Sequence, residues 1–85
     1  MVVGVDGISV GGGLTTYHEV EAATNRAMIG RARRVIVVAD GSKVGKLALA
    51  RICDVEAVDE LITDASADPA ELARLEAAGV TVTWA

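Results

Sequence analysis

Three short apolar runs, each followed by an aspartate, constrain the fold of this 85-residue chain more than any other feature of its sequence. The runs are residues 3–5 before Asp6, 37–39 before Asp40 and 61–63 before Asp64. Such short runs, rich in β-branched residues, predict strands. Helical patterns lie between them, and strands that alternate with helices form a mostly parallel sheet. We therefore expect an α/β fold, with a mostly parallel sheet and covering helices.

The first helix is expected to begin near Thr16, after a loop at the glycines 11–13. Thr16 and Glu19 have the spacing of a capping box, in which each side chain bonds the other residue's backbone N–H. Steps of three and four along this helix predict an inward apolar face. That face consists of Val20, Ala23, Ala27 and Met28.

The second helix has the clearest local signals. Asp68 is placed as its N-cap, Pro69 as its first helical residue and Glu71 as the acid of a capping box. Gly79 is placed as the left-handed terminator. The residues expected to face inward are Leu72, Leu75 and Ala78.

The remaining segments complete the predicted order of strands and helices. Residues 35–39 form a continuous apolar run, which is typical of a strand covered on both faces. Residues 47–52 fit a strand or a short helix, and periodicity does not decide between them. Residues 80–84 resume a β pattern after the second helix.

Composition disfavours a nucleic-acid-binding function and limits the core. The net charge is −4, and Tyr17 and Trp84 are the only aromatic residues, so a nucleic-acid surface is not expected. The basic residues near 31–34 more simply complement the end of a helix dipole. Phe is absent, so the core must consist of Ala, Val, Leu and Ile.

Cysteine and hydropathy patterns indicate a cytoplasmic protein. Cys53 is the only cysteine, so it forms no disulfide within the chain, and its apolar surroundings predict a buried thiol. The sequence has no signal-peptide pattern and no apolar run of membrane-spanning length. We expect no contact with a membrane.

Polar groups are predicted to gather at one edge of the sheet. The carboxyl ends of parallel strands meet at one edge, where ligands bind, so the three aspartates are expected there with Ser42 and Lys43. A lysine on a glycine-flanked turn can reach an anionic ligand. The alternative is that the aspartates only cap turns and that Lys43 is a solvated loop residue.

Two nucleotide loops and a metal site fit poorly. Residues 41–47 have three residues between the glycines of a Walker loop, where four are needed, and they end in Leu rather than Ser or Thr. Thr16 occupies the third glycine position of a dinucleotide fingerprint. Carboxylates suit Mg²⁺, but Lys43 would compete with the ion, and His18 is the only histidine. We expect neither a metal nor a cofactor.

An ordered series of short motifs resembles the effector-sensing domain of DeoR-family bacterial transcription regulators. The series is Gly4-x-Asp6-Gly7-Ile8, Gly13-Leu14-Thr15, Glu21-Ala22, Arg26-Ala27-Met28-Ile29, Asp40-x-Ser42-Lys43-x-Gly45 and Ile62-Thr63-Asp64. The resemblance covers essentially the whole chain, from about Val3 to Trp84.

The resemblance implies a Rossmann-like sensor fold related to ribose-phosphate isomerases and coenzyme A transferases. It implies that the domain binds a phosphorylated sugar or related metabolite, and that a helix-turn-helix domain outside this sequence binds DNA. The family's Asp-x-x-Lys element falls on Asp40 and Lys43, which we expect to contact the effector. The full set of expected effector-binding residues is Asp6, Gly7, Gly13, Thr15, Glu21, Asp40, Ser42 and Lys43.

The resemblance also implies that residues 1–85 are the C-terminal part of an incomplete sensor domain. Family members carry the helix-turn-helix and the first half of the sensor domain, with a phosphate-cradling turn, before the matching region. A chain without that half is expected to expose sheet surface and to form a homo-oligomer through unpaired edges.

Two alternatives to a sensor follow from the same residues. In the isomerases that this fold resembles, the first loop carries two acids, a lysine precedes three glycines, and a glutamate is catalytic. Ser9, Val10 and Asn25 occupy the positions of the second acid, the lysine and the glutamate here, so we expect no enzyme activity. The other alternative is an inert structural or oligomerisation module.

Overall fold

The computed structural model describes residues 1–85 and contains two sheets and two helices. The elements in chain order are β1 (Val2–Gly4), β2 (Gly7–Ser9), β3 (Gly13–Thr16), α1 (Glu19–Ile29), β4 (Ile36–Val38), β5 (Ala50–Cys53), β6 (Glu60–Thr63), α2 (Pro69–Ala77) and β7 (Thr81–Trp84). Short 3₁₀ turns occur at Gly41–Lys43 and Val55–Ala57. The expected α/β fold is confirmed.

The larger sheet is parallel, and its strands are in chain order, β1-β4-β6-β7. Val3 pairs with Val37, and Val37 pairs with Leu61, so their side chains share one face. These three residues are buried in a single core cluster of 19 residues, all of them Ala, Val, Leu or Ile. The expected aliphatic core is therefore confirmed.

Only one face of this sheet is covered. Crossovers between parallel strands are almost always right-handed, so a strand order that follows the chain puts every connection on the same face. On the opposite face, Val2 is 67% exposed and Val38 is 44% exposed. The prediction that residues 35–39 are covered on both faces is wrong for this reason.

The second sheet was not predicted from the sequence. It is antiparallel, with the order β2-β3-β5, and its β2–β3 hairpin turns through residues 10–12. Gly13 closes this turn with a φ of 69°, and a Cβ there would lie 2.1 Å from the carbonyl oxygen of Cys53. The glycines 11–13 therefore form a hairpin rather than a loop before a helix. Residues 50–53 belong to a strand, so the strand alternative for the 47–52 segment is correct there.

Helix α1 differs from its prediction in both its start and its inward face. It begins at Glu19, and its N-cap residue His18 makes no side-chain cap bond. Thr16 belongs to β3, so the predicted capping box is wrong. The buried residues of α1 are Ala22 and Ile29, because α1 packs against β3 and β5 through that stripe.

The predicted inward face of α1 is exposed. Val20 is 81% exposed and Met28 is 53% exposed, and Ala23 and Ala27 are exposed with them. The prediction rested on the spacing of apolar residues, which does not show where the neighbouring sheet lies.

Helix α2 follows its prediction closely. Asp68 accepts a hydrogen bond from Ala70 N (2.9 Å), and Pro69 is the first helical residue. The capping box is only half formed, because Glu71 pairs with Arg74 instead. Leu72 and Leu75 are buried as expected, and Ala78 is partly buried. Neither helix of the chain is long and apolar enough to cross a membrane.

Gly79 ends α2 in a Schellman motif. Gly79 N donates to Glu76 O (3.0 Å), and Val80 N donates to Leu75 O (3.0 Å). Gly79 has a φ of 102°, a backbone conformation that residues with a Cβ rarely adopt. The space around it is open, since no atom lies within 4 Å of a Cβ placed there.

We predict that Gly79→Ala lowers the free energy of unfolding by about 1–2 kcal/mol, through backbone strain alone. Gly11→Ala is the matched control, because Gly11 has equally open surroundings and no positive φ. Urea denaturation of both variants measures the difference. Equal stabilities for the two variants would contradict the role given to Gly79.

Candidate functional site

The carboxyl ends of three parallel strands carry the predicted aspartates. Asp6 follows β1, Asp40 follows β4 and Asp64 follows β6, at one edge of the sheet. A concavity of about 420 Å³ opens at this edge. Its lining residues are Gly4, Val5, Asp6, Thr16, His18, Glu21, Val38, Ala39, Asp40 and Lys43.

Asp6 is held by the hairpin that follows it. Its Oδ2 accepts hydrogen bonds from Tyr17 N (3.1 Å) and Thr16 Oγ1 (3.0 Å). These bonds, with that from Tyr17 N first, and the positive charge of Lys43 keep the pKa of Asp6 below its ordinary value. Its Oδ1 accepts no hydrogen bond within the chain and is therefore available to a ligand.

Asp40 likewise uses one carboxylate oxygen within the chain and leaves the other without a partner. Its Oδ1 accepts hydrogen bonds from the Ser42 hydroxyl and from Ser42 N (2.9 Å) and thereby caps the 3₁₀ turn Gly41–Lys43. These bonds, the hydroxyl first, lower the pKa of Asp40, and Lys43 lowers it further. The other oxygen, Oδ2, has no partner within the chain.

Lys43 brings a free positive charge to the concavity. Its backbone N–H donates to Asp40 O (3.0 Å), which fixes the residue at the end of the 3₁₀ turn. The chain has three salt bridges, and none involves Lys43. Its half-buried side chain lines the same concavity as Asp6 and Asp40 and forms no salt bridge with either carboxylate. Its positive charge contributes to the lowered pKa of both carboxyl groups.

Asp64 supports the site from outside the concavity. Its Oδ1 accepts hydrogen bonds from Gly41 N (3.1 Å), Ser66 N (2.9 Å) and the Ser66 hydroxyl (2.5 Å). The Ser66 hydroxyl is the largest cause of the lowered pKa of Asp64. Because Asp64 ties Gly41 to the end of β6, it positions the turn that carries Lys43.

The structure brings four of the eight expected effector-binding residues together in the concavity, namely Asp6, Glu21, Asp40 and Lys43. Ser42 lies just outside and orients Asp40.

The other three expected residues, Gly7, Gly13 and Thr15, lie within β2 and β3 and do not line the concavity. A Cβ on Gly7 would lie 2.4 Å from Lys46 O, so glycine at this position allows the segment at residues 46–48 to pack closely. Thr15 Oγ1 accepts a hydrogen bond from Ala48 N (2.9 Å), which holds the same segment.

Sequence reasoning missed Thr16 and His18 as site residues. Thr16 reaches Asp6 because the hairpin pairs β2 with β3, and Asp6 N donates to Thr15 O (3.0 Å) at its open end. The sequence did contain a signal for this hairpin, namely the glycines of the turn between Ile8 and Leu14. Ile8 and Leu14 pair with each other across the hairpin. His18 enters the concavity only because α1 begins after it.

A larger and more open depression, of about 620 Å³, lies elsewhere on the chain. Its arginines are already engaged, since Arg26 donates to Ile52 O (3.0 Å) and Arg51 pairs with Asp54. Cys53, which is half-buried rather than fully buried as expected, also lines it, and burial raises the pKa of its thiol. We therefore place the functional site in the smaller concavity, where the charged groups are free.

The concavity is suited to a polar organic ligand rather than to a metal ion. Ionised carboxylates whose second oxygens are free accept hydrogen bonds from hydroxyl groups, and an ammonium group binds an oxyanion or a carbonyl oxygen. The chain contains no group of three or more His, Cys, Asp or Glu side chains that could hold a metal ion.

In α/β domains that bind small molecules, the ligand lies in a concavity at the carboxyl edge of the parallel sheet, as the polar concavity does here. Comparison with known families identifies the domain more closely. The sequence profile of the DeoR C terminal sensor domain matches residues 1–65, and this chain belongs to that family.

Individual relatives are transcriptional regulators. The chain is 37% identical over 82 residues to the HTH-type transcriptional regulator GlpR of Haloferax volcanii, covering 96% of this chain and 32% of the relative. It is 40% identical over 63 residues to the HTH-type transcriptional repressor GlcR of Bacillus subtilis, covering 74% of this chain and 24% of the relative. It is 36% identical over 64 residues to the glycerol-3-phosphate regulon repressor of Escherichia coli, covering 75% of this chain and 25% of the relative. The chain thus spans about a third or less of the length of these proteins.

We predict that Thr16→Val raises the pKa of Asp6 and leaves that of Asp40 unchanged, because the Thr16 hydroxyl donates only to Asp6. Ser42→Ala is the reciprocal variant, and it raises the pKa of Asp40 alone. Titration of the carboxyl carbons by NMR measures both groups in one sample. A rise of both pKa values in either variant would show that the two aspartates are not held independently.

Proposed function

We propose that this domain binds a phosphorylated sugar or a related metabolite through the concavity at the edge of its parallel sheet. The observation that carries the proposal is the free amine of Lys43, which lies near two carboxylates that each have an unpaired oxygen. Asp6 and Asp40 accept hydrogen bonds from the hydroxyl groups of the ligand, and Lys43 binds its oxyanion or carbonyl oxygen. Glu21 borders the same space from the first turn of α1.

The names of the relatives support this class of ligand. One relative is the repressor of the glycerol-3-phosphate regulon, and glycerol 3-phosphate is a phosphorylated polyol. Its hydroxyl groups match the two acceptors of the concavity, and its phosphate group matches a cationic donor. A volume of about 420 Å³ is within the range of small-molecule sites.

The bound metabolite acts by changing the conformation of a regulator. A ligand that binds one conformation more tightly shifts the population toward it, and DNA binding elsewhere in the protein changes by the same coupling free energy. In this proposal a helix-turn-helix domain outside the present sequence binds the DNA. Each relative reported above carries HTH, transcriptional or repressor in its name, which supports this arrangement.

The enzyme alternative is disfavoured by the aspartates themselves. A sugar-phosphate isomerase needs a base whose pKa lies near the working pH. Asp6 and Asp40 both have lowered pKa values and are therefore weak bases. Ser9, Val10 and Asn25, which occupy the catalytic positions of the isomerase pattern, do not line the concavity. We propose that the domain has no enzyme activity.

We further propose that this chain is the C-terminal part of a larger, doubly wound sensor domain. A sheet with all connections on one face leaves the other face open, and in doubly wound folds strands beyond the first strand cover that face with their own helices. The open face is apolar over β1 and β4, with Val2, Val38 and partly exposed Ile36. The relatives are three or more times longer than this chain and have the additional length that this cover needs. Assembly into a homo-oligomer and a cytoplasmic location stay predictions of the sequence.

We predict that Lys43→Gln weakens the binding of sugar phosphates by about tenfold or more, since a hydrogen bond from a charged donor is lost. Lys46→Gln is the matched control, because Lys46 is exposed and lies outside the concavity. The measurement is isothermal titration calorimetry with glycerol 3-phosphate, ribose 5-phosphate and fructose 6-phosphate. Equal losses in the two variants would remove Lys43 from the site, and no binding by the wild-type chain would favour an inert structural module.

We predict that Val2→Thr has a different effect in two contexts. In the 85-residue chain Val2 is exposed, so the substitution changes the free energy of unfolding by less than about 0.5 kcal/mol. In a regulator that contains the remainder of the sensor domain, the same substitution destabilises by about 1–2 kcal/mol because it buries a hydroxyl group. Chemical denaturation of both proteins makes the comparison. Equal effects would show that this face stays open in the longer protein.

A further inference from the structure

The outer face of α1 carries apolar residues that no part of the chain covers. Its inner stripe, Ala22 and Ile29, packs against β3 and β5. Successive residues of an α-helix are rotated by about 100°, so a different set points away from that stripe. This outer set is exposed and contains no charged residue, and it consists of Val20, Ala23, Thr24, Ala27 and Met28. A helix in contact with water on one side has charged or polar residues there, whereas a helix that is apolar on both sides is buried between two partners.

The cover proposed above for the open face of the parallel sheet does not reach this part of the chain. Helix α1 belongs to the connection between β1 and β4. All connections of the parallel sheet pass on its covered side, so α1 and the open face lie on opposite sides of the sheet. The outer face of α1 therefore needs a partner of its own.

More apolar residues lie beside the first turn of α1. Strands β3 and β5 are antiparallel, and Thr16 at the end of β3 pairs with Ala50 at the start of β5. Tyr17 and Leu49 come next at this same end of the small sheet, and both are exposed, Leu49 by 85%. We call Tyr17, Leu49 and the outer residues of α1 the α1 surface. An exposed apolar patch of this kind marks a site of protein association.

Charges of opposite sign stand at the two ends of the α1 surface. Glu19 and Glu21 are in the first turn of α1, and Arg31 and Arg33 follow its last residue closely. None of these four residues takes part in the three salt bridges of the chain. Two such surfaces are complementary when they meet antiparallel, because the acidic end of each then faces the basic end of the other. A parallel arrangement would bring like charges together.

We propose that the α1 surface is the interface of a homodimer, in which α1 packs antiparallel against α1 of a second copy around a two-fold axis. Ala23 and Ala27 lie four residues apart on the outer face, near the axis, where their small side chains allow the two helices to approach closely. Glu19 of each copy then faces Arg31 of the other. This interface differs from the unpaired strand edges expected from the sequence, and it does not depend on the ligand of the concavity.

The first experiment introduces a charge at the centre of the interface. Ala27→Glu brings one carboxylate from each copy to the two-fold axis, where the like charges repel each other in a desolvated contact. Ala27 is exposed in the single chain, so the fold of the monomer is retained, which circular dichroism verifies. Ala73→Glu is the matched control, because Ala73 is an exposed alanine within α2. Analytical ultracentrifugation of the 85-residue chain measures the dissociation constant of the dimer.

We expect the wild-type chain to dimerise with a dissociation constant below about 100 μM. Ala27→Glu raises this constant by about a hundredfold or more, and Ala73→Glu leaves it within about threefold of the wild type.

The second experiment tests the antiparallel arrangement by charge reversal. Glu19→Arg and Arg31→Glu each weaken the dimer by about tenfold, because symmetry repeats every like-charge contact. The double variant returns to within about threefold of the wild type. Each substitution also opposes the helix dipole, so an effect on the fold alone would be larger in the double variant than in either single one. Recovery of the dimer therefore reports contact between the two copies.

Three results would overturn the proposal. If Ala27→Glu dimerises as well as the wild type, the interface lies elsewhere, with the unpaired strand edges as the remaining candidate. If the wild-type chain is monomeric up to about 1 mM, the α1 surface belongs to a contact with another part of a longer regulator. If the double charge reversal dimerises no better than the single variants, the helices are not antiparallel.

Discussion

The parallel pairing of β1, β4 and β6 in chain order is the constraint on which the rest of this structure depends. It places Asp6, Asp40 and Asp64 at one edge of the sheet. It also puts every connecting element on a single face, since right-handed crossovers that advance in one direction all pass on the same side. One topological fact thus produces the candidate site, the buried aliphatic core and the open face of the sheet.

The aspartates at this edge have a structural role that is compatible with the proposed binding role. Asp6 and Asp40 each use one oxygen to fix a turn and leave the other oxygen without a partner. Asp64 uses one oxygen for three donors and holds the turn that carries Lys43. The alternatives of capping residue and ligand-binding residue, which the sequence left open, are therefore not exclusive. A carboxylate fixed by hydrogen bonds is ionised and oriented, which is what a ligand hydroxyl group requires.

Local sequence was sufficient wherever the determining interactions are local. The cap at Asp68 and the terminator at Gly79 lie within a few residues of the helix that they end, and both were predicted. The hairpin of β2 and β3 was missed, although its glycines were noted, because the adjacent β3–α1 boundary was interpreted as a capping box. That error concealed Thr16 as a residue of the concavity, whereas His18 was set aside because the chain has no second histidine. It also accompanied the wrong inward face for α1, which depends on the position of β5 more than thirty residues further along the chain.

The sequence by itself determined the strand ends, the second helix, the aliphatic core and the family to which the chain belongs, because each is encoded in neighbouring residues or in an ordered series of motifs. Only the tertiary structure decided which of the expected residues meet. It gathered Asp6, Glu21, Asp40 and Lys43, added His18 and left Gly7, Gly13 and Thr15 in the supporting sheet. The physical reason is that a binding site is defined by distances between residues far apart in the chain, and those distances are set by strand order and helix packing.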